Sequence, residues 1–211
     1  MYIPEHFRVE DRDAAIAFMR ANPFAILVST TDAGPFATHA PVVISESGER
    51  LTIRGHVAQA NPHWRYLQAD PMSLMIFHGP HAYVSPSNYA TRETVPTWNY
   101  GAVHAYGNAR TYSAPEELRA MLHDLIPTFE AAYEEQWAGL SDAYRQRMLS
   151  HVVGFEMAVT KLEAKFKLSQ NRTKQEQQQI IDSLGRSPDS AVSGTARLMC
   201  EYGLGLKKRE S

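Results

Sequence analysis

The apolar positions change period several times along this 211-residue chain, and each change marks an element. Ala15, Ile16, Phe18 and Met19 recur at helical spacing. Asp11 or Asp13 supplies a start for that helix, and Asn22-Pro23 supplies its end. "FAILVST" is a β-rich apolar run closed by the turn residues "TDAGP". "FATHAPVVIS" and "ERLTIRGH" read as two more strands, with Glu46-Ser47-Gly48 between them. Three strands joined by short turns form a meander, the natural start of an antiparallel sheet or barrel. Asn61-Pro62 opens a short helix over "NPHWRYLQ", and "PMSLMIFHG" is the next strand. Periodicity then fades over residues 80–100, which carry Pro80, Pro86 and Pro96. A long irregular stretch in a small domain is where function tends to sit.

Period two returns in "GAVHAYGNARTY". Its odd positions are small (Val103, Ala105, Gly107, Ala109, Thr111) and its even ones polar or aromatic (His104, Tyr106, Asn108, Arg110, Tyr112). A small face admits another backbone or a flat ligand. "SAPE" reads as a capping box from Ser113 to Glu116, starting a helix that should kink at Pro127. A second helix, "LSDAYRQRMLS", is capped by Ser141 or Asp142. The longest strand candidate follows. Phe155, Met157 and Val159 alternate on odd positions, but Leu162, Ala164, Phe166 and Leu168 on even ones, so the strand should bulge or bend near Thr160. Two final helices end at Gly185 and Gly203. This order predicts an α+β fold with an antiparallel core of about six strands and most helices inserted or C-terminal.

Composition narrows the partners. Hydrophobic content of 44% is enough for a core. A net charge of −2 argues against tight nucleic-acid binding, and the one short basic run is Lys207-Lys208-Arg209. The lone Cys200 rules out an intrachain disulfide and is expected to be a buried, inert thiol. Neither a signal peptide nor a membrane-length apolar window is present, so a cytoplasmic location is expected.

The candidate chemistry is largely negative until the strand ends are considered. His56, His78, His81 and His104 lack a zinc-type spacing, and no metal is expected. Gly-rich phosphate loops and a G-x-S-x-G elbow are absent. What remains is donors where strands end. Arg54 and His56 stand where a strand breaks into a helix, and a guanidinium grips phosphate bidentately. Lys167, Ser169, Gln170, Asn171 and Arg172 close the long strand, and "VPTWNY" adds an aromatic plane and an amide. Phosphate at one end and a flat hydrogen-bonding ring at the other would suit a flavin mononucleotide, but the spacing alone does not name the ligand. The same residues would equally serve surface ion pairs (Arg54, Lys167) and a core (Trp98).

The strings "MYIPEHF", "GHVAQANPHW", "FHGPHAYVSPSNY", "VPTWNYGAVHAYG" and "KLSQNR" resemble, in order, the FMN-binding, PaiB-like negative transcriptional regulator family. The resemblance implies an antiparallel split β-barrel of the pyridoxamine-oxidase-like kind with peripheral and C-terminal helices. Residues 1–172 would form the FMN-binding domain and 173–211 a helical appendage packed on it. It also implies a homodimer with FMN at the subunit interface. By motif, Arg54 and His56 would lie near the phosphate or ribityl chain, and Thr97, Trp98 and Asn99 would wall the flavin. Lys167, Ser169, Gln170 and Asn171 would come from the facing segment, with Tyr83 and Ser85 as further candidates. Gln59 and Asn88 depart from the pattern, which would favour a basic residue and an aromatic there. The implied regulatory role sits poorly with the charge and with the Ser/Pro-rich break in "QQQIIDSLGRSPDSAVSGTA", which is a poor helix-turn-helix. DNA is therefore an unsupported partner. A flavin reductase or oxidase, or a haem-handling split barrel, is the alternative activity.

Overall fold

Six strands and seven α-helices run through residues 1–206, the part of the chain that the computed structural model describes. The basic run Lys207-Lys208-Arg209 lies outside the described residues. The meander expected from the alternation is present: β1 (Phe24–Thr31), β2 (Gly34–Ser47) and β3 (Arg50–Ala58) pair antiparallel. With β4 (Met72–Val84), β5 (Thr97–Tyr112) and β6 (Val152–Lys167) they close a barrel in the order β1-β2-β3-β6-β5-β4. Closure leaves no free sheet edge. Two compact units divide the chain, one of Ile16–Phe77 and His104–Leu162, the other of Met1–Ala15, His78–Val103 and the residues from Glu163 onward.

In the first unit the strand alternation sets the core. Leu27, Val42, Ile53, Met75, Phe77, Phe155 and Met157 are all fully buried, each contributing about 1.5–3 kcal/mol by leaving water. The small odd face of β5 has a concrete reason at Gly107. A Cβ there would stand 2.1 Å from the Ala158 carbonyl oxygen of β6, so only glycine lets the two backbones meet. The short helix expected here is α2 (His63–Ala69), but its N-cap is Pro62 rather than Asn61, and Asn61 Oδ1 accepts from the His63 N–H (3.0 Å) from one residue further out.

Three helices are inserted between β5 and β6: α3 (Pro115–Glu130), α4 (Tyr133–Gly139) and α5 (Asp142–Leu149). Leu118, Met121 and Leu149 pack with Tyr112 of β5 in one buried cluster. The expected Ser113–Glu116 capping box does not form. Ala114 is the N-cap and makes no side-chain bond, and Pro115 alone starts the helix. Helix α3 also runs through Pro127 to Glu130 before it stops, whereas Ser141 caps α5 by accepting from the Tyr144 N–H.

In the second unit β4 continues past Gly79-Pro80 to Val84, well beyond the strand end expected from sequence. Its buried parity moves from odd (Ser73, Met75, Phe77) to even (Ala82, Val84) as the strand passes from one unit to the other. Strand β6 makes the same change, from Val153, Phe155 and Met157 to Ala164 and Phe166, with Thr160 and Lys161 exposed between. Two helices follow, α6 (Lys174–Gly185) and α7 (Ser190–Glu201). Thr173 and Glu176 form a full capping box on α6. Gly203 (φ +65°) ends α7, with its N–H on Cys200 O and Leu204 N–H on Met199 O, a Schellman closure. Cys200 is exposed, not buried as its apolar setting suggested, because α7 turns Thr195, Ala196, Leu198 and Met199 inward instead.

Candidate functional site

Arg54 and His56 stand two apart on β3 and so share one face. Arg54 donates through Nη2 to Ser45 Oγ at 3.1 Å and to Asp124 Oδ2 of α3 at 2.7 Å. Its Nε is buried with no hydrogen-bond partner among the described residues, and so is Nδ1 of His56. Burial holds His56 below the usual histidine pKa. Arg54 lines a polar recess of about 300 Å³ with Ser45, Ser47, Arg50, Thr52 and two carboxylates, Glu46 and Glu156. Those carboxylates are already engaged, Glu46 by Arg20 (2.9 Å) and Glu156 by Arg50 (3.5 Å) and Arg110 (3.4 Å). Arg54 and His56 therefore each carry one buried polar atom without a partner among the described residues, and of the two only Arg54 lines this recess.

The remaining sequence candidates lie in the other unit. Trp98 is 52% and Tyr83 49% exposed, high values for large aromatic side chains. Their rings meet edge-on with centroids 6.0 Å apart, and His81 lies 6.1 Å from Trp98 and 4.8 Å from His78. These four rings make an open aromatic strip whose members are tilted or edge-on to one another. Beside it the Lys167 ammonium donates to Thr97 Oγ1. Burial, with His81 adding to it, holds His78 below the usual histidine pKa. No group of three His, Cys, Asp or Glu able to hold a metal occurs among the described residues.

Three other candidates in this unit, Asn99, Ser169 and Gln170, bond within the protein. Asn99 is fully buried and accepts from Ser169 Oγ at 3.0 Å. Ser169 has φ 63°, a left-handed conformation that costs a non-glycine residue about 1–2 kcal/mol. Gln170 folds back on its own turn, accepting from Leu168 N–H at 2.7 Å and donating to Phe166 O. Ser85 Oγ accepts from Ser87 N–H and caps a 3-10 turn over Pro86–Asn88. Asn171 is exposed. Of the two departures from the family pattern, Gln59 is exposed, and Asn88 is buried and donates to Ser85 O at 3.1 Å.

Sequence reasoning missed the residue that braces this segment. Gln177 of α6 is buried and donates from Nε2 to the carbonyls of Ser169 (3.2 Å), Gln170 (3.4 Å) and Arg172 (3.0 Å). Glu176 beside it accepts from Ala90 N–H (3.2 Å), which pins the irregular 85–96 loop and holds its carboxyl below the usual range. Arg172 lies 3.8 Å over the Tyr89 ring and reaches Thr94 Oγ1 at 3.3 Å. The one available signal was the Thr173-x-x-Glu176 spacing directly after "SQNR". The side chains thus divide into a brace (Asn99, Ser169, Gln170, Gln177), a partly buried pair (Lys167, Thr97) and a presenting set (Trp98, Tyr83). The presenting set suits a planar heteroaromatic ring with a hydrogen-bonding edge.

Comparison with known proteins agrees with that chemistry. A family model described as "Putative FMN-binding domain" matches residues 1–161. Protease synthase and sporulation protein PAI 2 of Bacillus subtilis is 36% identical over 201 residues, covering 94% of this chain and 96% of the relative. Among solved structures, the flavocytochrome Anf3 of Azotobacter vinelandii superposes with a TM-score of 0.61 at 13% identity, over 79% of this chain and 72% of the other. An FAD- and haem-binding protein of Mycobacterium smegmatis gives 0.58 at 15%, over 76% and 73%. At these identities the two structures speak for the split-barrel fold alone.

Proposed function

Since this chain belongs to the FMN-binding domain family matched by its residues 1–161, we propose that it acts in the cytoplasm as an FMN-carrying homodimer with a regulatory role. Its cofactor is FMN. One feature fits that group: the exposed Trp98 and Tyr83 rings, in the unit that also holds the Lys167–Thr97 pair. When bound, the isoalloxazine would supply reversible one- or two-electron transfer. In this reading Trp98 and Tyr83 lie against the ring, and Thr97 and Lys167 bond its polar edge. Arg54 and His56 serve the phosphate or ribityl chain. Asn99, Ser169 and Gln170 hold the presenting segment from behind, and Ser85 and Asn171 border it.

The observation that carries the reading is the half-exposed Trp98–Tyr83 ring pair, since an aromatic surface left open to solvent needs a ligand to complete it. The regulatory part rests on the likeness to PAI 2, whose name refers to protease synthesis and sporulation. Direct DNA contact is not part of it. The net charge is −2, and α7 carries a single arginine and no lysine. A visible spectrum of the purified protein, with light scattering for mass, tests the proposal. A flavin absorption band and a mass of two chains are expected. A protein that stays colourless with added FMN overturns it. A mobility-shift assay with its own promoter is expected to show no shift at micromolar protein.

A further inference from the structure

The inserted helices α3–α5 enclose a cleft of about 520 Å³ lined by Arg119, His123, Ile126, Glu134, Trp137, Ala138, Asp142 and Arg145. This volume is in the range of small-molecule sites. The cleft lies on these three helices alone, and the FMN reading uses none of its residues. Helix α4 buries none of its own residues, yet Trp137 is half covered and Ile126 faces the same space. The floor is therefore apolar and partly covered.

The charges define what that partner must be. Asp142 and Arg145 neutralise each other at 2.6 Å. Among the described residues, neither the exposed Arg119 guanidinium nor the exposed Glu134 carboxylate makes a hydrogen bond or ion pair. His123 approaches a carboxylate only at 4.0 Å, from Asp124. The cleft thus offers one free cation, one free anion and an indole wall. A simple anion would meet Glu134, and a simple amine would meet Arg119. A small zwitterion with an apolar body meets neither conflict. We propose that this cleft binds a free α-amino acid with an apolar or aromatic side chain. Its carboxylate lies on Arg119, its ammonium on Glu134 and its side chain on Trp137.

The test is calorimetry on the full-length protein with L-phenylalanine, L-leucine, phenylpropionate, phenethylamine and glycine, paired with tryptophan fluorescence. A ligand of this size and site gives a Kd on the order of 1 mM. L-phenylalanine or L-leucine is expected to bind, and each single-charge analogue and glycine to bind at least about tenfold more weakly. Arg119→Ala and Glu134→Gln, both on exposed helix positions, should each weaken the amino acid about tenfold while leaving FMN binding and Tm unchanged. Trp137→Phe should abolish the fluorescence response. No saturable binding at about 10 mM, equal binding of phenylpropionate, or full affinity in both charge variants overturns the proposal. Because FMN is read in the same samples, failure here and failure of the flavin reading are separate results.

Discussion

His63 should make this protein acid-sensitive in a defined window. The side chain is fully buried. Its Nδ1 lies 2.8 Å from Thr38 Oγ1 and its Nε2 3.0 Å from Ser29 Oγ, which in turn meets Ser73 Oγ at 3.2 Å. The rings of Phe36 and Tyr66 stand against it at 5.2 and 6.4 Å. Every one of these partners is neutral, so a proton on the imidazole gains no counter-charge. Burial accordingly lowers its pKa from 6.5 to about 4. The unfolded chain takes up this proton first. Stability from burying neutral imidazole is therefore complete above pH 6.5 and is lost as pH falls from 6.5 toward 4. Linkage between those two values gives a loss of ~0.8 kcal/mol at pH 6, ~2 at pH 5 and ~3 at pH 4. Other histidines titrate too, so the quantity to measure is the gap between wild type and His63→Gln in urea unfolding at each pH. At pH 7.5 the variant should be less stable by about 1–3 kcal/mol, because one hydroxyl loses its partner. That gap should close by about 2 kcal/mol by pH 5. A gap constant within about 0.5 kcal/mol between pH 7.5 and 5 would refute the argument that His63 is held neutral.

Four further outcomes follow from the structure. Gly107→Ala forces a methyl within 2.1 Å of the Ala158 carbonyl oxygen, so it should cost about 3 kcal/mol or leave the protein insoluble, read by expression and thermal melting. Ser169→Ala leaves the buried Asn99 Oδ1 without its donor, and should lower stability by about 1–3 kcal/mol in urea titration. Ser169→Gly should recover about 1 kcal/mol of that, because glycine carries no penalty at φ 63°; an equal or larger loss would show that the backbone is unstrained. Trp98→Ala removes a 52%-exposed ring, so Tm should barely move while FMN affinity, followed by flavin fluorescence, falls about tenfold.

Much of this protein was legible from one dimension because a strand's faces alternate strictly. The β1–β3 meander, the small inner face of β5 around Gly107 and the parity change in β6 all follow from which positions are apolar. Local chemistry settled the end of α7 at Gly203, since those contacts span only a few residues. Alternation does not say whom a polar side chain will meet, and there tertiary structure decided. Trp98 and Asn99 are neighbours in "VPTWNY", yet one is half exposed and the other sealed against Ser169, 70 residues away. Cys200 sits in an apolar helix and still faces water. Gln177 looked like one glutamine in a polar run, and becomes a brace only because the 169–172 turn folds back over it. Backbone period is a property of each segment alone. Partner choice depends on which distant segments the closed barrel and its helices bring within hydrogen-bond reach.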